Sequence, residues 1–102
     1  MKVLNDAWHQ RFGGTARLYG QNALQRFADA HFCVIGIGGV GSWAAEALVR
    51  TGIGKITLID MDDVCITNTN RQLHALQGNV GKAKTDVMAE RLRAIKDRKS
   101  VV

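Results

Sequence analysis

The residues best suited to chemistry begin with one short run, Gly36-Ile37-Gly38-Gly39-Val40-Gly41, which matches G-x-G-x-x-G directly after an apolar strand-like stretch and directly before a helical one. In that context the first glycine makes a tight turn, the second lets backbone approach a phosphate, and the third packs helix against strand. The N–H groups that open the following helix, together with its dipole, make an anion site. Asp60 ends the next strand, about twenty residues further on, where a carboxylate accepts hydrogen bonds from a ribose. Gly36, Gly38, Gly39, Gly41 and Asp60 are therefore candidate nucleotide-binding residues. For Gly39 alone, helix packing is the alternative.

Beyond Asp60 lies a polar segment ending in a cation, Asn68-Thr69-Asn70-Arg71-Gln72. A dinucleotide fold has no general need for it. An arginine offers a forked donor to phosphate oxygens and asparagine amides add further donors, so this segment suits a triphosphate. Lys84 could add a point charge. The alternatives are a solvated turn for residues 68–71 and a wet helix face for Lys82-Ala83-Lys84.

These groups need a scaffold, and the apolar pattern supplies one. Residues 1–20 show no clear periodicity and read as a glycine-punctuated arm containing arginines. Gln21 to Ala30 carries Ala23, Leu24, Phe27 and Ala28 at helical spacing. Phe32 to Ile35 is an apolar run that stops at glycine, as a buried parallel strand does. Ser42 to Thr51 reads as a helix with Trp43, Ala44, Ala47 and Leu48 inward, ended by Gly52 and Gly54. Lys55 to Asp60 is a second strand, residues 62–79 a connection, and Gly81 to Ile95 a last helix built on Ala83, Val87, Met88, Leu92 and Ile95. Strands alternating with helix-length connections predict an α/β fold, a Rossmann-like open parallel sheet with flanking helices.

Composition bounds what such a scaffold can carry. The chain has 102 residues, 46% hydrophobic and 23% charged, which allows one domain and excludes disorder as the default. No apolar run reaches the ~20 residues of a membrane span and the first residues lack a secretory signal, so a cytoplasmic location is expected. Cys33 and Cys65, each in an apolar run, read as buried thiols, with no disulfide scaffold and no metal ligands. His9, His31 and His74 read as surface or packing histidines, Trp43 as a core residue, and Trp8 as an arm residue able to touch a base. A net charge of +5 makes a polyanionic partner plausible.

In order along the chain, Gly36 to Ser42, Gly52-Ile53-Gly54, Asp60-Met61-Asp62, Asn68 to Gln72 and Gly81-Lys82-Ala83-Lys84 resemble the adenylating enzymes related to ubiquitin-activating enzyme. The likeness covers about residues 6–95. Within that superfamily, Ser42-Trp43-Ala44-Ala45-Glu46-Ala47-Leu48 and Asn68-Thr69-Asn70-Arg71-Gln72 look most like the tRNA threonylcarbamoyladenosine dehydratases. Sulfur-carrier adenylyltransferases typically read Asn-Leu-Gln-Arg-Gln at the latter place. The resemblance implies that the loop around Gly39 and Asp60 hold the adenosine part of ATP, and that Asn68, Arg71 and Lys84 hold its phosphates, with Mg²⁺. It implies Arg71, Lys84 and Arg17 as the catalytic residues, acting by charge neutralisation. It further implies a homodimer in which an N-terminal arginine reaches the partner's ATP. Relatives commonly read Arg-Phe-x-Arg-Thr there, and this arm reads Arg11-Phe12-Gly13-Gly14-Thr15, leaving Arg17 or Arg11 for the role.

The implied partner is tRNA carrying threonylcarbamoyladenosine, with no DNA and no transmembrane segment. The implied reaction activates the threonyl carboxylate as an acyl adenylate and closes a ring with net loss of water. The alternative functions are adenylation of a ubiquitin-like sulfur carrier, an NAD-dependent oxidoreductase, and a nucleotide-binding fragment with no turnover. The chain also lacks proline, and nine of its 11 glycines lie between Gly13 and Gly54, so it reads as one specialised piece of a larger protein; the resemblance implies that it is the ATP-binding front of a longer enzyme. The domain expectation is an arm over 1–20, an incomplete ATP-binding domain over 21–96, and a non-native tail over 97–102. That tail can be back-translated into a common sequencing-adapter oligonucleotide. Its alternative is that Val101 and Val102 begin a third strand. A piece cut there is expected to be inactive alone and prone to aggregate, because its sheet edges are open.

Overall fold

A computed structural model describes residues 1–96, 101 and 102. The chain runs α1 (Asp6–Tyr19), α2 (Gln21–Asp29), β1 (His31–Ile35), α3 (Gly41–Thr51), β2 (Lys55–Ile59), a 3-10 turn (Ile66–Asn70) and α4 (Lys84–Ile95). β1 and β2 pair in parallel, His31 opposite Lys55 through Ile35 opposite Ile59, with α3 as the crossover. The predicted α/β class and the parallel sheet with flanking helices are therefore present.

The core lies on one face of the sheet. Ile56 and Leu58 of β2 meet Ala45 and Val49 of α3 and Met88, Ala89 and Leu92 of α4. Fully burying such an aliphatic side chain is worth about 1.5–3 kcal/mol, so this cluster carries the stability of the unit. Glu46 of α3 binds Arg91 of α4 and, at 3.4 Å, Arg50 one turn along its own helix. The first contact ties the two helices together above the sheet.

The expected unpatterned arm is a helix. Asn5 caps it by accepting from the Trp8 N–H at 2.9 Å, and the chain kinks at Phe12, just before Gly13-Gly14. Trp8, Phe12 and Ala16 form one stripe four residues apart and pack on Leu24 and Ala28 of α2 as a second core. Two glycines mid-helix hide that stripe, since each costs about 1 kcal/mol relative to alanine and reads as a break. Trp8 is thus a core residue, its ring tilted against that of Phe12 with the centroids 4.7 Å apart, and not an arm residue open to a base.

Three burial expectations are corrected. β1 is mostly exposed, because the sheet face carrying His31, Cys33 and Ile35 has no helix over it among the described residues. Cys33 and Cys65 are consequently exposed thiols. On α3 the buried stripe is Ser42, Ala45 and Val49, with Leu48 partly buried, while Trp43 stands 52% exposed. Trp43 turns outward because its indole N–H donates to the Arg71 carbonyl at 2.9 Å.

Residues 97–100 of the expected non-native tail lie outside the described residues. Val101 bridges Ile56 in parallel, and Val102 accepts from the Leu58 N–H at 2.7 Å while donating to the Ile56 carbonyl at 2.8 Å. Those two residues thus run along the side of β2 opposite β1. No helix of the described residues is long and apolar enough to cross a membrane.

Candidate functional site

The carboxyl ends of β1 and β2 present the glycine loop and Asp60 side by side. The turn out of β1 needs a positive φ at Gly36 (88°), and a Cβ on Gly41 would overlap the Gly36 carbonyl oxygen. The first and last glycines are therefore fixed by backbone geometry, as their spacing predicts. Asp60 anchors the loop: Oδ2 accepts from the Ile37 N–H and Oδ1 from the Asp62 N–H, both at 2.7 Å.

A second strip of chain, residues 71–74, lies against the loop residue by residue. The aliphatic stem of Arg71 runs past Gly39, and the Gln72 amide lies 3.7 Å from where a Cβ on Gly38 would sit. The Leu73 N–H donates to Ser42 Oγ at 3.1 Å, and Ser42 Oγ donates to the Gly38 carbonyl at 2.5 Å. His74 Nε2 lies 2.7 Å from the Ile37 carbonyl oxygen. In a trans peptide the C=O and N–H point opposite ways, so holding the Gly38 carbonyl inward aims the Gly39 N–H outward. Among the described residues no acceptor meets the N–H groups of Gly38, Gly39 or Val40. The loop thus offers outward donors at the head of α3, the geometry of an anion seat.

The cations flank that seat. Arg71 is exposed, its guanidinium 2.8 Å from Asn70 Oδ1 and 3.3 Å from the Thr67 carbonyl. Lys84 is only 7% exposed, at the first residue of α4, so it is no wet-face lysine. Its backbone N–H donates to the Asp62 carbonyl at 3.0 Å, which pins the head of α4 beside Asp60. Desolvation pushes the Asp60 carboxyl up, but the Ile37 and Asp62 amides, with Lys84 and His74 nearby, outweigh it and hold the group below its ordinary value. Asn68 is buried, and its Oδ1 accepts from the Cys65 N–H at 2.9 Å. Its amide nitrogen makes no hydrogen bond among the described residues. Cys65 Sγ accepts from Thr67 Oγ1 at 3.2 Å, and that contact leads the causes lowering its pKa.

The structure therefore gathers Gly36, Gly38, Gly39, Gly41, Asp60, Asn68, Arg71 and Lys84 around one edge of the sheet. Arg17 is not among them. It folds back along α1, its guanidinium 3.5 Å from where a Cβ on Gly13 would sit. Ser42 and His74, which the spacing does not single out, belong to the site's frame beside Gln72. His74 in particular is 1% exposed and bonded to the loop. Their signal is tertiary, since nothing in the spacing of residues 71–74 reveals which loop they lie against. Beside Asp60 a cleft of about 370 Å³ opens between β2 and α4, lined by Leu58, Asp60, Thr85, Asp86, Ala89 and Arg93 among others. Among the described residues no group of three or more His, Cys, Asp or Glu side chains could hold a metal ion.

A parallel sheet with an anion-accepting glycine loop at its carboxyl edge and an acid on the neighbouring strand defines a Rossmann-like α/β unit. More narrowly, the chain belongs to the ThiF family, whose profile matches residues 13–102. It is 80% identical over 93 residues to the tRNA threonylcarbamoyladenosine dehydratase of Escherichia coli K12, covering 91% of this chain and 35% of that protein. The crystal structure of the E. coli tRNA N6-threonylcarbamoyladenosine dehydratase TcdA in complex with AMP superposes with a TM-score of 0.97 at 74% identity, covering 100% of this chain and 42% of that one. The corresponding ATP complex gives 0.96 at 74% identity, with 99% and 42% coverage. The resemblance to the adenylating superfamily is thereby borne out. The chain spans about a third of the length of the curated relatives it matches.

Proposed function

We propose that this chain binds ATP and forms the nucleotide-holding part of a tRNA threonylcarbamoyladenosine dehydratase. The observation that carries the reading is the clamp of residues 71–74 on the glycine loop, with Asp60 and Lys84 on its flanks. A hydride-transferring dehydrogenase needs the loop and the acid but not this cationic clamp. The likeness to the E. coli dehydratase points the same way, that enzyme having been crystallised with AMP and with ATP.

In this reading Asp60 accepts from the ribose, the base enters the cleft beside it, and the outward amides of Gly38 and Gly39 meet the phosphates. Asn68, Arg71 and Lys84 neutralise charge on the triphosphate as the α-phosphate is transferred. Mg²⁺ arrives with the nucleotide, and we assign it no ligand in this chain. The threonyl carboxylate of the modified tRNA attacks the α-phosphorus and displaces pyrophosphate. An internal group of the same modification then attacks the acyl carbon and gives up its proton, AMP leaves, and the ring closes with net loss of water. The protein contributes positioning and electrostatics, and no side-chain nucleophile is needed. Arg17 is read as reaching the ATP of a partner subunit in a cytoplasmic homodimer.

The test replaces the corresponding third of the E. coli dehydratase with this chain and incubates the chimera with ATP and tRNA carrying threonylcarbamoyladenosine. The expected product nucleoside is lighter by one water. A chimera that binds ATP but exchanges pyrophosphate only with a ubiquitin-like carrier would overturn the substrate assignment.

A further inference from the structure

We propose that His74 is a positioning residue for the nucleotide, holding the Ile37–Gly38 peptide so that the Gly38 N–H faces the phosphate seat. The inference rests on the ATP-binding reading. It starts from three facts about one peptide unit. The Ile37 carbonyl oxygen lies 2.7 Å from His74 Nε2, the Ile37 N–H is taken by Asp60, and the Ile37 side chain is fully buried. A carbonyl oxygen only accepts, so His74 Nε2 carries the proton. C=O and N–H of a trans peptide point opposite ways, so fixing the Ile37 oxygen inward turns the Gly38 N–H outward.

Glycine gives this peptide little resistance of its own. Gly38 tolerates both signs of φ, so the unit is free to flip unless something grips its carbonyl. The Gly39 N–H is secured differently, through Ser42 Oγ on the Gly38 carbonyl. His74 is the side chain that grips the Ile37 carbonyl. Packing alone is a poor reason for a histidine here. Its Nδ1 is buried and has no partner among the described residues, a desolvated acceptor that an apolar side chain of the same size would avoid. The Asn79 amide donates to the His74 backbone carbonyl at 3.1 Å, which steadies the backbone beneath the ring.

The test pairs two substitutions of equal length. In His74→Gln the ε-amide nitrogen reaches where Nε2 sits and still donates, whereas His74→Met fills similar space with no donor. ATP is titrated calorimetrically into the full 102-residue chain, well below the melting temperature of each variant. The expected result is about a tenfold loss of ATP affinity in His74→Met and less than about threefold in His74→Gln, one hydrogen bond's worth. A purely structural histidine would lower the melting temperature and leave ATP affinity of the folded variants unchanged, which overturns the inference. A second measurement needs no variant: ring ¹⁵N spectra of the nucleotide-free chain should show a proton on Nε2, and a ring that carries its proton on Nδ1 alone overturns the proposal. Absence of ATP binding by the wild-type chain would instead overturn the nucleotide reading, and the role of His74 with it.

Discussion

Replacing Asp60 with asparagine should weaken both the loop's anchor and the proposed ribose acceptor in one step. Both carboxylate oxygens accept backbone N–H groups, the inner one from buried Ile37 and the outer one from exposed Asp62. Asparagine keeps one acceptor, so the inner bond survives as a neutral one, at a loss of about 1 kcal/mol from its charge-assisted strength. The amide NH₂ then faces the Asp62 N–H, and that exposed bond, worth about 0.5–1 kcal/mol, is lost. The sum is about 1.5–2 kcal/mol, or a fall in Tm of roughly 6–15 °C for a domain this small. A neutral oxygen also accepts more weakly from ribose hydroxyls, so ATP affinity should fall about ten- to thirtyfold. Thermal unfolding and calorimetric titration of the same preparation read the two effects separately. A lowered Tm with ATP affinity within about threefold of wild type would leave Asp60 as a loop anchor and remove it from the ribose. An unchanged Tm would refute the anchor.

The remaining predictions concern stability and association. Because the Asp60 carboxyl sits below its ordinary value when folded, its stabilisation is complete above about pH 4 and is lost as pH falls through that lower value. The Tm of Asp60→Asn should accordingly fall less steeply than wild type below pH 4. Glu46→Ala removes the partner of Arg91 and Arg50, 38% and 59% exposed respectively, and should cost about 1–2 kcal/mol in urea unfolding, most of it from the Arg91 contact. An unaltered midpoint would show that α3 and α4 are held by their apolar faces alone. Ile35 stands 76% exposed on the uncovered sheet face, so Ile35→Lys should reduce self-association in sedimentation equilibrium without lowering Tm.

What could be read from the residues in advance was local. The G-x-G-x-x-G run predicts its own geometry because the φ of Gly36 and the close approach at Gly41 are backbone requirements of the turn itself. Periodicity likewise marks α2 and α4, whose apolar faces turn toward the cores. The misreadings come from tertiary context. Helical spacing puts Trp43 inward with Ala44, Ala47 and Leu48, but its indole N–H finds the Arg71 carbonyl at the surface. Ser42 took the buried position instead, because its hydroxyl has a partner on either side. Cys33 alternates correctly along β1 and is exposed only because that sheet face is uncovered. The wet-face alternative for Lys84 failed because α4 begins at that residue, buried beside Asp60.

The proposed ATP site depends on the cationic clamp. Parallel calorimetric titrations of the wild-type chain and Arg71→Ala with magnesium ATP, adenosine and NADH test it most directly. ATP is expected to bind more tightly than NADH, and Arg71→Ala to lower ATP affinity about tenfold while leaving adenosine unaffected. NADH binding more tightly than ATP, or an Arg71→Ala variant that holds ATP as well as wild type, would contradict it.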